Sequence, residues 1–161
     1  MKPIIHPLLI LALLSAPTEA LAQGLLYAKQ TIFGMDCAPC AYGIEKGLKN
    51  LPGIESVKVS LNDGYAEVTV APGSAVSLDQ IRRIVRDNGF TPKEARIDLE
   101  GTLQLNPRPQ LRAGAITYPL VLSGEKEIAP GLPVKLTGVV AADAAQVQVE
   151  KIESSTAKEP G

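Results

Sequence analysis

The chain has 161 residues, and 16 basic against 17 acidic side chains give a net charge of −1. That balance offers no electrostatic footprint for nucleic acid. Tryptophan is absent and aromatics make up only 4% of the residues, so the core must be built mostly from Val, Ile, Leu and Ala.

Residues 1–22 read as a secretory signal peptide. Met1-Lys2 is a short basic start, Leu8 to Leu14 is an apolar run, and Ala20-Leu21-Ala22 is an A-x-A-like cleavage site. The apolar run is too short to span a bilayer. Cleavage predicts a periplasmic protein and removes His6, the only histidine, together with Met1. Lys2 and Glu19 leave together, so the net charge stays at −1. A mature chain without histidine has no Cys–His or Ser–His pair for activating a nucleophile. It is therefore not expected to be a hydrolytic enzyme, nor an enzyme of any other kind.

Residues 23–100 read as strand, helix, strand, strand, helix, strand. The first strand is Leu26 to Phe33. Ala41, Ile44, Leu48 and Leu51 follow at helical spacing, and Pro52-Gly53 stops that helix. Gly43 and Gly47, four apart within it, imply close packing of the helix on a sheet. Val57, Val59 and Leu61 alternate along a second strand. Asn62-Asp63-Gly64 supplies hairpin chemistry, and Ala66, Val68 and Val70 form the third strand. Ser77 and Gln80 have capping-box spacing ahead of Leu78, Ile81, Ile84 and Val85, and Asn88-Gly89 ends this second helix. Ala95, Ile97 and Leu99 make the fourth strand. The order predicts an α+β fold: a ferredoxin-like βαββαβ sandwich with two helices on one face of an antiparallel sheet.

From Gly101 onward the character changes, with Pro107, Pro109, Pro119, Pro130 and Pro133 and no helical period. Residues 101–153 read as a small all-β C-terminal appendage, either a minimal barrel or a sheet packed on the first domain. Its expected strands are Thr102–Leu105, Ile116–Leu122, Val134–Val140 and Gln146–Ile152. So small a cysteine-free unit has a marginal core of its own, which favours contact with the first domain. Glu125-Lys126-Glu127 reads as a solvated loop, and Ser154 to Gly161 as a flexible tail.

The chemistry concentrates in Gly34-Met35-Asp36-Cys37-Ala38-Pro39-Cys40, which holds both cysteines of the chain. Cys37 falls in the loop after the first strand and Cys40 at the start of the first helix. Amides at a helix N-terminus stabilise thiolates, and Pro39 is tolerated in the first turn. Met35 is expected to turn inward. Soft thiolates select soft ions, and two ligands are too few for a closed structural zinc site. The pair suits two-coordinate Cu(I) or Hg(II) better than zinc, and an open site allows a partner's ligands to enter. Asp36 could favour a bound cation or serve as a loop-side helix cap. Lys46, Lys49 and Lys58 could form a mild basic docking face or simply a solvated one.

These residues resemble the heavy-metal-associated domain family, whose signature is Gly-Met-x-Cys-x-x-Cys between the first strand and first helix of a ferredoxin-like fold. Pro52-Gly53-Ile54, Val57-Lys58-Val59-Ser60-Leu61 and Asn88-Gly89-Phe90 extend the resemblance over residues 25–100. Asp36 departs from the threonine frequent in the family, and Phe90 stands at a variable position and is expected to pack in the core. The resemblance includes copper chaperones, modules of metal-exporting P-type ATPases and periplasmic mercury-binding proteins. It implies that Cys37 and Cys40 bind the metal and pass it, by ligand exchange, to a membrane transporter or P-type ATPase or to another periplasmic metalloprotein. The exported single-module layout points to a monomer of the periplasmic branch. Two other readings use the same pair: a thiol–disulfide oxidoreductase, and a binding module with a structural disulfide.

Overall fold

A computed structural model describes residues 23–123 and 129–155. The expected leader, the Glu125-Lys126-Glu127 loop and residues 156–161 of the expected tail lie outside the described residues. The chain runs β1 (Gly24–Phe33), α1 (Ala38–Lys49), β2 (Ile54–Ser60), β3 (Tyr65–Val70), α2 (Leu78–Asp87) and β4 (Thr91–Gln104). It continues as β5 (Gln110–Ala113), β6 (Ile116–Leu122), β7 (Pro133–Val140) and β8 (Val147–Ser154).

The first six elements form the expected sandwich. The sheet order is β2-β3-β1-β4 with every neighbour antiparallel. One face alternates into the core through Ala28 and Ile32 of β1 and Ala66, Val68 and Val70 of β3. Ile44 and Leu48 of α1 and Ile81 and Val85 of α2 cover it and are themselves buried. The Ser77–Gln80 capping box is present in full, with the Gln80 amide bonding Ser77 Oγ at 3.2 Å and the Ser77 amide bonding Gln80 Oε1 at 2.9 Å. Ser77→Ala is expected to lower stability by about 1 kcal/mol, read as a lower urea midpoint with an unchanged slope.

Gly43 and Gly47 correct one expectation. Their close approach is to the second helix and not to the sheet: a Cβ on Gly43 would lie 2.7 Å from Asn88 Oδ1, and one on Gly47 2.7 Å from Ile84 Cγ2. Helical spacing alone does not say which neighbour a small residue admits.

The boundary expected at residue 100 falls inside β4, a single strand of 14 residues. Its burial alternates without interruption through Ala95, Ile97, Leu99, Gly101 and Leu103. Along one edge β4 pairs first with β1 and then, at Thr102–Gln104, with β5; along the other edge Ala95–Thr102 pairs with β7. β5 pairs with β6, β6 runs parallel to β8, and β8 pairs back to β7. The ring β4-β5-β6-β8-β7 therefore closes on itself as a five-stranded Greek-key barrel, the arrangement of an OB-type fold. The face of β4 that meets the helices at one end looks into this barrel at the other, where Leu111, Val134, Leu136 and Val147 fill the interior.

Buried Arg82 ties the two halves together. From α2 its guanidinium bonds Gln30 Oε1 of β1 at 3.1 Å, and the carbonyls of Val140 and Ala141 after β7 at 3.1 and 2.8 Å. Ser154 and Ser155, expected to open a loose tail, are held instead. Ser154 ends β8, and the Ser155 amide bonds the Pro133 carbonyl at 2.9 Å while its hydroxyl donates to Glu100.

Candidate metal centre

Gly34 leaves β1 with φ +89°, a backbone conformation that side chains resist, and so turns the chain sharply toward α1. Met35 is 6% exposed and packs inward beneath the loop, as expected. Phe90 is partly buried against the same core, with its ring 3.9 Å from where a Gly34 Cβ would be.

Cys37 is the N-cap of α1. Its backbone is extended, its carbonyl accepts from the amides of Cys40 and Ala41 at 3.0 and 3.1 Å, and its Sγ accepts from the Cys40 amide at 3.2 Å. The cap role weighed for Asp36 thus belongs to Cys37. Pro39 stands in the first turn, where its missing N–H leaves no bond broken. Cys40 follows one turn after Cys37, so both sulfurs lie on the same end of the helix. They are bonded as a disulfide across a Cα–Cα distance of 5.2 Å. Both cysteines are half-buried and therefore within reach of solvent.

Asp36, by contrast, is exposed, and one of its carboxylate oxygens and both sulfurs lie within 4.8 Å of one another. Among the described residues no other group of three or more His, Cys, Asp or Glu side chains offers such convergence. The helix N-terminus favours anionic sulfur here, while the Asp36 carboxylate opposes a second and third negative charge unless a cation joins them. The loop is thus better satisfied by a positive ion than by two bare thiolates.

The three lysines do not share a face. Lys46 and Lys49 lie in the last turn of α1, where Lys49 pairs with Glu45. Lys58 stands opposite Glu67 on the helix-free side of the sheet, because Val57 and Val59 take the core-facing positions of β2. Sequence reasoning did not single out Phe33 and Tyr42, which are 66% and 67% exposed on either side of the loop. Their positions, at the end of β1 and in the second turn of α1, were the only available signal.

Residues 30–91 match the model of the heavy-metal-associated domain. A copper-transporting ATPase of Oryza sativa subsp. japonica is 40% identical over 62 residues, covering 38% of this chain and 6% of that protein. Copper-transporting ATPase 2 of Homo sapiens is 39% identical over 59 residues, covering 37% of this chain and 4% of that protein. The match thus spans only a small fraction of these relatives. Among solved structures, the yeast copper transporter domain studied in apo and Cu(I)-loaded states aligns with 42% of this chain and 90% of its own, at 28% identity and a TM-score of 0.39. Residues 30–91 of this chain are a heavy-metal-associated domain.

Proposed function

We propose that this protein binds one soft metal ion, Cu(I), through Cys37 and Cys40 and delivers it to a partner by ligand exchange, as a non-catalytic carrier in the periplasm. The observation that carries the reading is the convergence of two half-exposed sulfurs on one helix N-terminus. Two-coordinate Cu(I) or Hg(II) suits such a pair, and the relatives named for copper favour Cu(I). The partner is a membrane metal transporter of the P-type ATPase class or another periplasmic metalloprotein, whose own thiolates would enter the open coordination positions. The disulfide must first take up two electrons and two protons from a thiol reductant before either sulfur can bind. A competition titration of the reduced chain with Cu(I), Hg(II) and Zn(II) tests this. One tightly held Cu(I) per chain is expected, and a stoichiometry of zero would end the proposal.

A second reading rests on Asp36. Its carboxylate sits close enough to the sulfurs to supply a third ligand, and oxygen donors suit zinc better than Cu(I). Asp36→Asn is then expected to weaken Zn(II) binding by about ten-fold while leaving Cu(I) affinity within a factor of a few, both measured by competition with a chromophoric chelator. Equal effects on the two ions would remove the third-ligand role.

A further inference from the structure

A crevice of about 100 Å³ lies away from the cysteine loop, where the N-terminus of α2 meets the barrel. Its polar pole is formed by the first turn of α2, Arg82 and Tyr118, and its walls by Ile116, Val140 and Ala145. Three independent features of this pole call for an anion.

The first is α2 itself. Its capping box satisfies the amides of Ser77 and Gln80, leaving those of Leu78 and Asp79 without an intrahelical partner at the positive end of a ten-residue helix. The second is Tyr118. It is only 7% exposed, yet its hydroxyl has no hydrogen-bond partner among the described residues. Burial pushes this group up to about 12, so it remains a donor; the Leu78 amide pulls the other way from near the oxygen without reaching hydrogen-bond geometry. The third is Arg82, whose guanidinium is buried and bonded only to carbonyl oxygens and the Gln30 amide, with no carboxylate in contact. Its Nη1 makes a single long bond, 3.4 Å to the Ala144 carbonyl, and keeps donor capacity to spare.

Asp79 is the acidic group on the crevice lining, and it is exposed. Its charge disfavours a dianion such as phosphate more than a singly charged ligand. The walls are aliphatic and suit a short hydrocarbon stub. We propose that this crevice is a binding site for a small monocarboxylate, with the carboxylate at Tyr118 Oη, Arg82 Nη1 and the first amides of α2, and the alkyl end against Ile116 and Val140.

The test is a titration of the isotope-labelled full-length chain with sodium propionate, with sodium chloride at matched ionic strength as reference, followed by amide NMR. Saturable shifts at Leu78, Asp79 and Tyr118 with a millimolar midpoint are expected for propionate and not for chloride. Tyr118→Phe removes only an unsatisfied hydroxyl, so its melting temperature is expected to equal or exceed that of the parent, while propionate binds about ten-fold more weakly. Asp79→Asn is expected to tighten propionate several-fold, and it gives a second readout independent of the tyrosine. Shifts that match chloride, that never saturate, or that both substitutions leave unchanged would overturn the site. Metal binding at Cys37 and Cys40 should be the same in all three proteins.

Discussion

Serine in place of Cys37 or Cys40 abolishes tight one-to-one binding of Cu(I): this is the largest effect expected of any single substitution in the chain. A hydroxyl is a hard, neutral ligand where a soft anion is needed, and no other sulfur or histidine in the described loop can replace it. Spreading the binding energy of four-ligand zinc sites over their ligands gives roughly 3–4 kcal/mol per ligand, so each substitution should weaken binding by at least two orders of magnitude. With two ligands in all, the double substitution leaves nothing to measure by chelator competition. The fold should survive, because a disulfide that closes so short a loop constrains the unfolded chain little. Reduced parent and Cys→Ser variants should therefore unfold within about 1 kcal/mol of each other. Retained stoichiometric binding in the double variant would show that the ion sits elsewhere. Robust insulin reduction by the metal-free parent would instead favour the oxidoreductase reading of the same pair.

The metal loop was legible because its signals are local. Gly34 supplies a positive φ, Pro39 tolerates the first turn, and Cys37 and Cys40 have the spacing of one helical turn. The capping box at Ser77–Gln80 and the stop at Asn88-Gly89 are equally local, and the second helix follows from them. What escaped was the place where the two halves join. Gly101 interrupts the apolar alternation of β4 and reads as a break, yet it is buried within a continuing strand. β5 holds four residues between a proline-rich turn and Gly114, with only Leu111 and Ala113 facing inward, too few to show a period. Arg82 looks like any charged residue on a helix; its burial depends on carbonyls 58 and 59 positions away. Barrel closure depends on such pairings across long sequence separations, and no window along the chain contains them. A minimal barrel was one of two options for this stretch, and the β4–β7 pairing decides between them.

Gly101→Ala should unfold both halves together. A Cβ at this position would stand 2.3 Å from the carbonyl oxygen of Arg112, 2.9 Å from its carbonyl carbon and 3.1 Å from the Cα of Ala113. All three are backbone atoms of β5, so no side-chain rotation relieves the contact. The strands must part where Thr102 pairs with Arg112, and Thr102 also pairs with Pro133 of β7 on the other edge. Displacing β4 therefore loosens two barrel seams at once. Overpacking against fixed backbone costs about 3 kcal/mol or more, which for a chain of this size lowers the melting temperature by roughly 10 °C. Because β4 also pairs with β1 from Gly24 to Phe33, the damage should extend into the sheet that carries the metal loop. Hydrogen exchange should accelerate in β1 and α2 as well as in β5 and β7, and calorimetry should record one transition at a lower temperature. If the barrel melted first and left β1 and α2 protected, β4 would not couple the halves, and the metal domain would be independent of its extension. If the couple holds, the barrel acts on the metal loop through the strand they share, and substitutions as far away as Gly138 should change the stability of the cysteine loop without touching it. A Cβ at Gly138 would meet the Gln148 carbonyl oxygen at 2.6 Å.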